Sequence, residues 1–533
     1  MTAIKLDTIF FKKGDYKISV NIICDYTSKI NISIYNDSNN ISNKYNIEYY
    51  NWYNEVSTLK TYHMEFSIIF EDKYNIEITN EENNKIKISS YTLTDQSNQN
   101  IIFNSDNRLD CLLLNEISKN LSTSNNGFKY PLISNTFNED EIFALSKFII
   151  SGEKLTMGTH VEAFEKQFAN YIGSNYAVMV NSGSSANLLA VAVVANYMYK
   201  NKLNPNDEVL VPALCWSTTV WPLIQCGLKP VFVDINPQTM NIDENKIEQY
   251  IGPNTKALMI VHVMGNCADM DLIMNIVNKH KLLLIEDTCE SLGSSYKNKK
   301  LGSFGEFGTY SFYYSHHITT IEGGMVITND YDSYNLLKSL RAHGWTRNLS
   351  KEIQDKYKRE FSEIDDRYMF INLGYNLRPM ELQAVMGEIQ LKKLDDKNIN
   401  RIYNFNKIKD QIMTDHRNKN LINLPISQTD SYIAWFGLCM YINPLYESKL
   451  NDFKNYLTSN SVENRPIITG NFVRQPYFIL NNYNYKLDDF PNADLLHNCG
   501  LYIGLSCEKY SDESIINLVN IIFDFFLLID KLK

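Results

Sequence analysis

Two rhythms of apolar and polar residues divide this chain. Near its start the rhythm has period two. Tyr16, Ile18, Val20 and Ile22 alternate with Lys17, Ser19 and Asn21, and Ile30, Ile32 and Ile34 alternate with Asn31 and Ser33. The same spacing returns at Ile76 and Ile78 and at Ile86 and Ile88, with the polar run Asn80 to Asn84 between them. Alternation of this kind puts every second side chain on one face, which predicts half-buried strands. Several short strands with no helical segment between them predict an antiparallel β-sandwich over residues 1–108. A short helical stretch and the polar run Ser122 to Gly127 then predict a linker over 109–128.

Beyond the linker, apolar runs begin at Tyr176, Glu208, Pro230, Ala257, Leu282, Gly308 and Met325, separated by stretches long enough for crossovers. This predicts an α/β domain, 129–395, with a seven-stranded, mostly parallel sheet covered by helices, and such sheets bind ligands at the carboxyl ends of their strands. A helix from Pro379 to about Asp395 closes that domain, and a smaller α/β domain fills 396–533. The apolar stretch Ile515 to Ile529 is broken by Asn517, Asn520 and Asp524. It is shorter than the roughly 20 residues of a membrane span, so it reads as a packed terminal helix.

Composition narrows the function classes. In 533 residues, 44% are hydrophobic and 21% charged, which suits three folded domains. A net charge of −10 argues against nucleic acid or an anionic membrane as the main partner. The nine cysteines contain no CxxC pair and the N-terminus has no long apolar run, so a reduced, cytoplasmic setting without secretion is expected.

Candidate chemistry lies at the strand ends. In NSGSSANLLAV, Asn181 to Val191, Gly183 allows close backbone approach, and the free N–H groups and the hydroxyls of Ser184 and Ser185 suit a phosphate. A serine-capped helix with no ligand would read the same way. LLLIEDTCES ends a strand on Glu286 and Asp287, either as a carboxylate for a protonated ring nitrogen or as a solvated acidic cap. Trp216, in PALCWSTTVWP, offers a flat surface or a core side chain. The segment SFYYSHHITTIEGGMV, Ser311 to Val326, carries His316 and His317.

From Lys129 onward the chain resembles the DegT-type sugar aminotransferase family of fold-type I pyridoxal phosphate enzymes. The stretches that carry the likeness are SGEKLTMGTHVEAFEKQFANYIG, HVMGNCADMD and LGYNLRPMELQAVMGEIQLKKLD. The resemblance implies phosphate contacts from Ser184, Ser185 and Ser311, a ring-nitrogen partner in Asp287, a stacking residue in Trp216 and a further ring contact in Glu290. It implies that Asn376 reaches the phosphate across a homodimer interface. His316 stands where the family carries its cofactor-bonding lysine, and an imidazole can move protons but cannot hold the cofactor covalently. The paired histidines and GNFVRQPYF, Gly470 to Phe478, resemble the family's 3-dehydratase branch.

That branch implies noncovalent pyridoxamine phosphate, a nucleotide-linked 4-keto-6-deoxysugar and L-glutamate as amino donor. His316 is then the base, with His317 as a rival or orienting neighbour. Some members carry an iron–sulfur cluster on cysteines after the double histidine. RAHGWTRNLSKEIQDKYKREF has none, so no cluster and no metal is expected. Arg378 and Arg474 are candidates for the substrate's phosphates or the donor's carboxylate, and equally for surface ion pairs. An aminotransferase making a 4-amino sugar and a noncatalytic sugar-nucleotide binder remain alternatives. Tyr49, Tyr50, Trp52 and Tyr53 are candidates for glycan contact in the sandwich, and equally for its core.

Overall fold

The computed structural model describes eight strands between Ala3 and Phe103, then residues 127–133 and 138–531. Two compact units emerge, Met1–Ser124 and Asn125–Lys533. In the first, two antiparallel sheets form. One orders Ala3–Phe11, Asp72–Asn80, Ile30–Asn36 and Ser42–Asn46, and the other Lys60–Ile68, Gly14–Cys24, Ile86–Asp95 and Asn100–Phe103. Each alternating segment read from the sequence lies inside one of these strands. Tyr49, Tyr50, Trp52, Tyr53 and most of the 109–128 linker lie outside the described residues.

The second unit is built on a seven-stranded sheet. Its strands are β1 (Tyr176–Val180), β2 (Glu208–Pro212), β3 (Lys229–Val233), β4 (Thr255–Val261), β5 (Leu283–Asp287), β6 (Phe307–Ser311) and β7 (Gly324–Thr328), in the order β3-β2-β4-β5-β6-β7-β1. Pairing is parallel from β3 through β6, and β7 runs antiparallel to both neighbours. The strands are nearly continuous apolar runs because both faces are covered. Along β1, Val178 and Val180 join one buried cluster while Ala177 and Met179 join another with Phe164, Phe168 and Phe312. Glu165 is buried among them, and its Oε1 accepts the Met179 N–H and pairs with the buried Arg341.

The helix expected to stop near Asp395 runs from Glu381 to Thr414. Nothing in INRIYNFNKIKDQI breaks it, and Arg401, Asn404, Phe405, Ile408 and Ile412 are buried along it. The helix therefore crosses the expected domain boundary and carries side chains for both parts. After it, Ile422–Asn423, Gly437–Ile442, Gly500–Gly504 and Asn464–Arg465 form a small antiparallel sheet. The apolar C-terminal run is the helix Asp512–Lys531, whose Phe525 and Phe526 pack on Phe453. Among the described residues, no helix is long and apolar enough to cross a membrane.

Candidate active site

A cavity of about 580 Å³ opens at the carboxyl ends of the strands. Its floor begins with Ser182, which caps the helix Gly183–Val194 by accepting the Ser185 N–H. A Cβ on Gly183 would lie 2.8 Å from Ser311 Oγ and 3.0 Å from Ser311 Cα, so only glycine lets this helix start meet the end of β6. Ser184 Oγ lies 3.0 Å from Thr218 Oγ1 at the start of a second helix, Ser217–Gln225. Two helix N-termini thus border the cavity with free N–H groups and hydroxyls. Trp216, the residue before the second helix, lines the cavity and is exposed.

Strand alternation separates the paired carboxylates at the end of β5. Glu286 accepts the N–H groups of Gly302, Phe304 and Gly305, a structural role away from the cavity. Asp287 lines the cavity and accepts from Asn187 Nδ2 and Thr219 Oγ1, each at 2.8 Å, and from the Cys289 N–H. Three donors fix its orientation. Glu290, also lining, accepts the Met264 N–H at 2.9 Å. Burial, with Asp287 nearby, pushes its carboxyl up to about 7. Met264 has φ 53°, an unusual left-handed value for a non-glycine residue, stored where its N–H meets Glu290 and its carbonyl accepts from Phe436.

The two histidines have different fates. His316 lines the cavity, and its Nδ1 lies 2.8 Å from the Cys289 carbonyl. A carbonyl only accepts, so Nδ1 carries the hydrogen and Nε2 is left as the basic nitrogen. Burial lowers its pKa to about 4. His317 is buried outside the lining, its Nε2 donating to the Ala434 carbonyl at 2.9 Å, and burial holds it neutral. Phe436 packs on both imidazoles, with ring centroids 5.1 and 5.7 Å away. Its carbonyl accepts from the buried Arg401 of the long helix.

These residues fit pyridoxamine phosphate. Hydroxyls and helix N–H groups suit its phosphate, Asp287 suits a protonated ring nitrogen, and Trp216 offers a face for the ring. No lysine stands among the described lining residues, so nothing there bonds the cofactor covalently. The sequence profile of the DegT/DnrJ/EryC1/StrS aminotransferase family matches residues 136–523. The chain belongs to that family.

Over 389 residues the chain is 38% identical to the GDP-4-keto-6-deoxy-D-mannose 3-dehydratase of Escherichia coli O55:H7, covering 72% of this chain and 97% of that one. Among solved structures, GDP-4-keto-6-deoxymannose-3-dehydratase with a trapped PLP-glutamate geminal diamine superposes with a TM-score of 0.66 at 35% identity, covering 74% of this chain and all of that one. A histidine-to-asparagine variant of that dehydratase with bound GDP-perosamine gives 0.67 at 36%, with the same coverage. The unit Met1–Ser124 lies outside the family match.

Of the residues singled out from sequence, Gly183, Ser184, Trp216, Asp287, Glu290, Ser311 and His316 meet in the cavity. The others lie elsewhere. Ser185 Oγ donates to Asn181 at 2.6 Å. Asn376 is exposed and accepts from Arg378 Nε, and neither lines this chain's cavity. Arg474 forks onto Asp494 at 2.7 and 2.8 Å. Sequence reading missed Thr218, Thr219, Glu322, Phe436, Glu463, Arg465 and Tyr502, all of which line the cavity. Thr218 and Thr219 follow Trp216 directly at a helix start, a signal that was available. Among the described residues, no group of His, Cys, Asp and Glu is arranged to hold a metal ion.

Proposed function

We propose that the chain is a 3-dehydratase dependent on pyridoxamine phosphate, which removes the carbon-3 hydroxyl of a nucleotide-linked 4-keto-6-deoxysugar and uses L-glutamate to restore the cofactor. The observation that carries this reading is His316: a neutral imidazole lines the cavity, with Nε2 free, where the family carries its lysine. When bound, pyridoxamine phosphate supplies an amine for the 4-keto group and a ring that takes up electrons, which lets the carbon-3 C–O bond break. Asp287 keeps the ring nitrogen protonated. Ser184, Ser311 and the Gly183 backbone would hold the phosphate, and Trp216 would cover the ring. His316 Nε2 would take up the proton released from the carbon that bears the cofactor's amine and return it to the hydroxyl leaving carbon 3. The products are a 4-keto-3,6-dideoxysugar, ammonia and 2-oxoglutarate.

The full site is read as that of a cytoplasmic homodimer in which Asn376 and Arg378 serve the partner's cavity. Exposed Tyr368, Phe370, Leu373 and Met380 around them support a protein contact there. The N-terminal sheets are read as a β-sandwich, with 129–395 as the cofactor domain and 396–533 as the small domain.

The test is purified protein with pyridoxamine phosphate, L-glutamate and a panel of nucleotide-linked 4-keto-6-deoxysugars beginning with the GDP-linked mannose form, read by mass spectrometry. Loss of one oxygen from the sugar, abolished in His316→Asn, is expected. A mass gain of one unit instead marks exchange of keto for amine and an aminotransferase, and no turnover of any sugar sinks the enzymatic reading.

A further inference from the structure

The cavity presents an electrostatic problem once its reading as a dehydratase site is accepted, and this inference rests on that reading. Two anions must enter in turn, a dicarboxylate donor and a sugar attached to a diphosphate. Among the described lining residues, carboxylates come from Asp287, Glu290, Glu322 and Glu463, whereas Arg465 alone among them is a lysine or arginine. A carboxylate repels both ligands. The described half of the site has one guanidinium for either.

Arg465 sits on the two-residue strand Asn464–Arg465, where it pairs with Tyr502 of the strand Gly500–Gly504. Backbone pairing fixes its Cα beside the cavity while its side chain is more than half exposed. The guanidinium is parked on its own segment. One nitrogen donates to Glu463 Oε1 at 2.9 Å and another to the Asn464 carbonyl at 2.8 Å. Glu463 is anchored and well covered, its second oxygen accepting the Leu132 N–H at 3.0 Å. Of the pair, the arginine is the exposed partner and the glutamate the covered one.

We propose that Arg465 is the anion anchor shared by both half-reactions, and that Glu463 is an internal stand-in that holds the guanidinium ready between ligands. A planar guanidinium donates to carboxylate and phosphate through the same fork. Moving from Glu463 to an incoming anion exchanges one charge-assisted contact for another. The contact given up to Glu463 offsets only part of what each ligand gains from the fork, so both are held by it and still leave readily, as a site that turns over two unlike substrates requires.

The test uses the full-length protein with two readouts. L-glutamate is titrated into the pyridoxal phosphate-loaded protein, and half-saturation and limiting rate are taken from the cofactor's absorbance. GDP is titrated calorimetrically into the protein without cofactor. In Arg465→Met, both half-saturation for glutamate and Kd for GDP are expected to rise about tenfold, the size of one lost charge-assisted hydrogen bond, with the limiting rate nearly unchanged. Arg465→Lys is expected to recover part of both affinities, which separates anchoring from folding. Glu463→Gln, which weakens the competitor, is expected to tighten both. Unchanged affinities in Arg465→Met, or loss of only one of the two, overturn the shared anchor. A wild-type protein that shows no spectral response to glutamate overturns the dehydratase reading itself.

Discussion

Replacing His316 with asparagine removes a titrating group whose cost can be worked from its surroundings. In the folded chain burial is the largest influence on the imidazole and lowers its pKa, Arg401 adds to that, and the Cys289 carbonyl and Asp287 oppose it. The outcome is about 4, against 6.5 for an unperturbed histidine. Between those values the unfolded chain binds a proton that the folded chain refuses. Stability from this group is therefore complete above pH 6.5 and is lost as pH falls toward 4. At 1.36 kcal/mol per unit the loss reaches about 3 kcal/mol, and the edge facing water in the cavity reduces the expectation to about 2 kcal/mol. His317, Glu290 and Asp287 remain in both proteins, so the difference between wild type and His316→Asn isolates the one imidazole. The assay is urea unfolding of both at pH 7, 5.5 and 4.5, paired with NMR titration of isotopically labelled histidine to locate the missing resonance. Wild type should lose about 2 kcal/mol more than the variant across that range. A difference that does not change with pH, or a resonance titrating near 6.5, would refute the argument that burial keeps His316 a neutral base.

Two other perturbations test neighbouring steps. Gly183→Ala drives a Cβ against the Cβ, Oγ and Cα of Ser311, a clash that rotating the hydroxyl cannot relieve and that the backbone must shift to accommodate; the strain is expected to cost about 1–3 kcal/mol and to weaken pyridoxal phosphate binding about tenfold, followed by melting and by titration of cofactor absorbance. Arg474→Met breaks the fork onto Asp494 and should lower stability by about 1 kcal/mol, given that the arginine is a third exposed, while KM for glutamate and for the nucleotide sugar stays put. A raised KM would return Arg474 to the substrate.

What could be read from the sequence follows from how local each signal is. The seven apolar runs became the seven strands of one sheet because a strand buried on both faces advertises itself. Asp287 and Glu286 were adjacent in sequence, and period two alone puts them on opposite faces. His316 in the cavity and His317 against Ala434 are also neighbours, but they lie in the turn after β6, where no strand alternation applies. Other features depend on partners far along the chain. For Arg474 the sequence left a ligand and an ion pair equally open, and its partner Asp494 stands on a separate helix. Arg465 lies on a strand only two residues long, too brief for any periodicity to mark. The long helix overran the expected boundary because its polar positions Asn398, Arg401 and Asn404 are buried under tertiary contacts that no pattern reveals.

That helix explains how one cavity draws on two α/β layers. Cys289 and Met264, at the ends of large-sheet strands, hold His316 and Glu290 through their backbones. Phe436 and Arg465 come from the segment after the helix, one packing on the base and the other lining the cavity. Arg401, inside the helix, donates to the Phe436 carbonyl and so ties the second layer to the imidazole. A backbone carbonyl sets the tautomer of His316 and a packed ring limits its movement. Neither depends on a side chain that titrates near neutral pH. The base is thus held by the fold itself, and a change that loosens the helix should reach His316 through Phe436 before it reaches the phosphate end at Gly183.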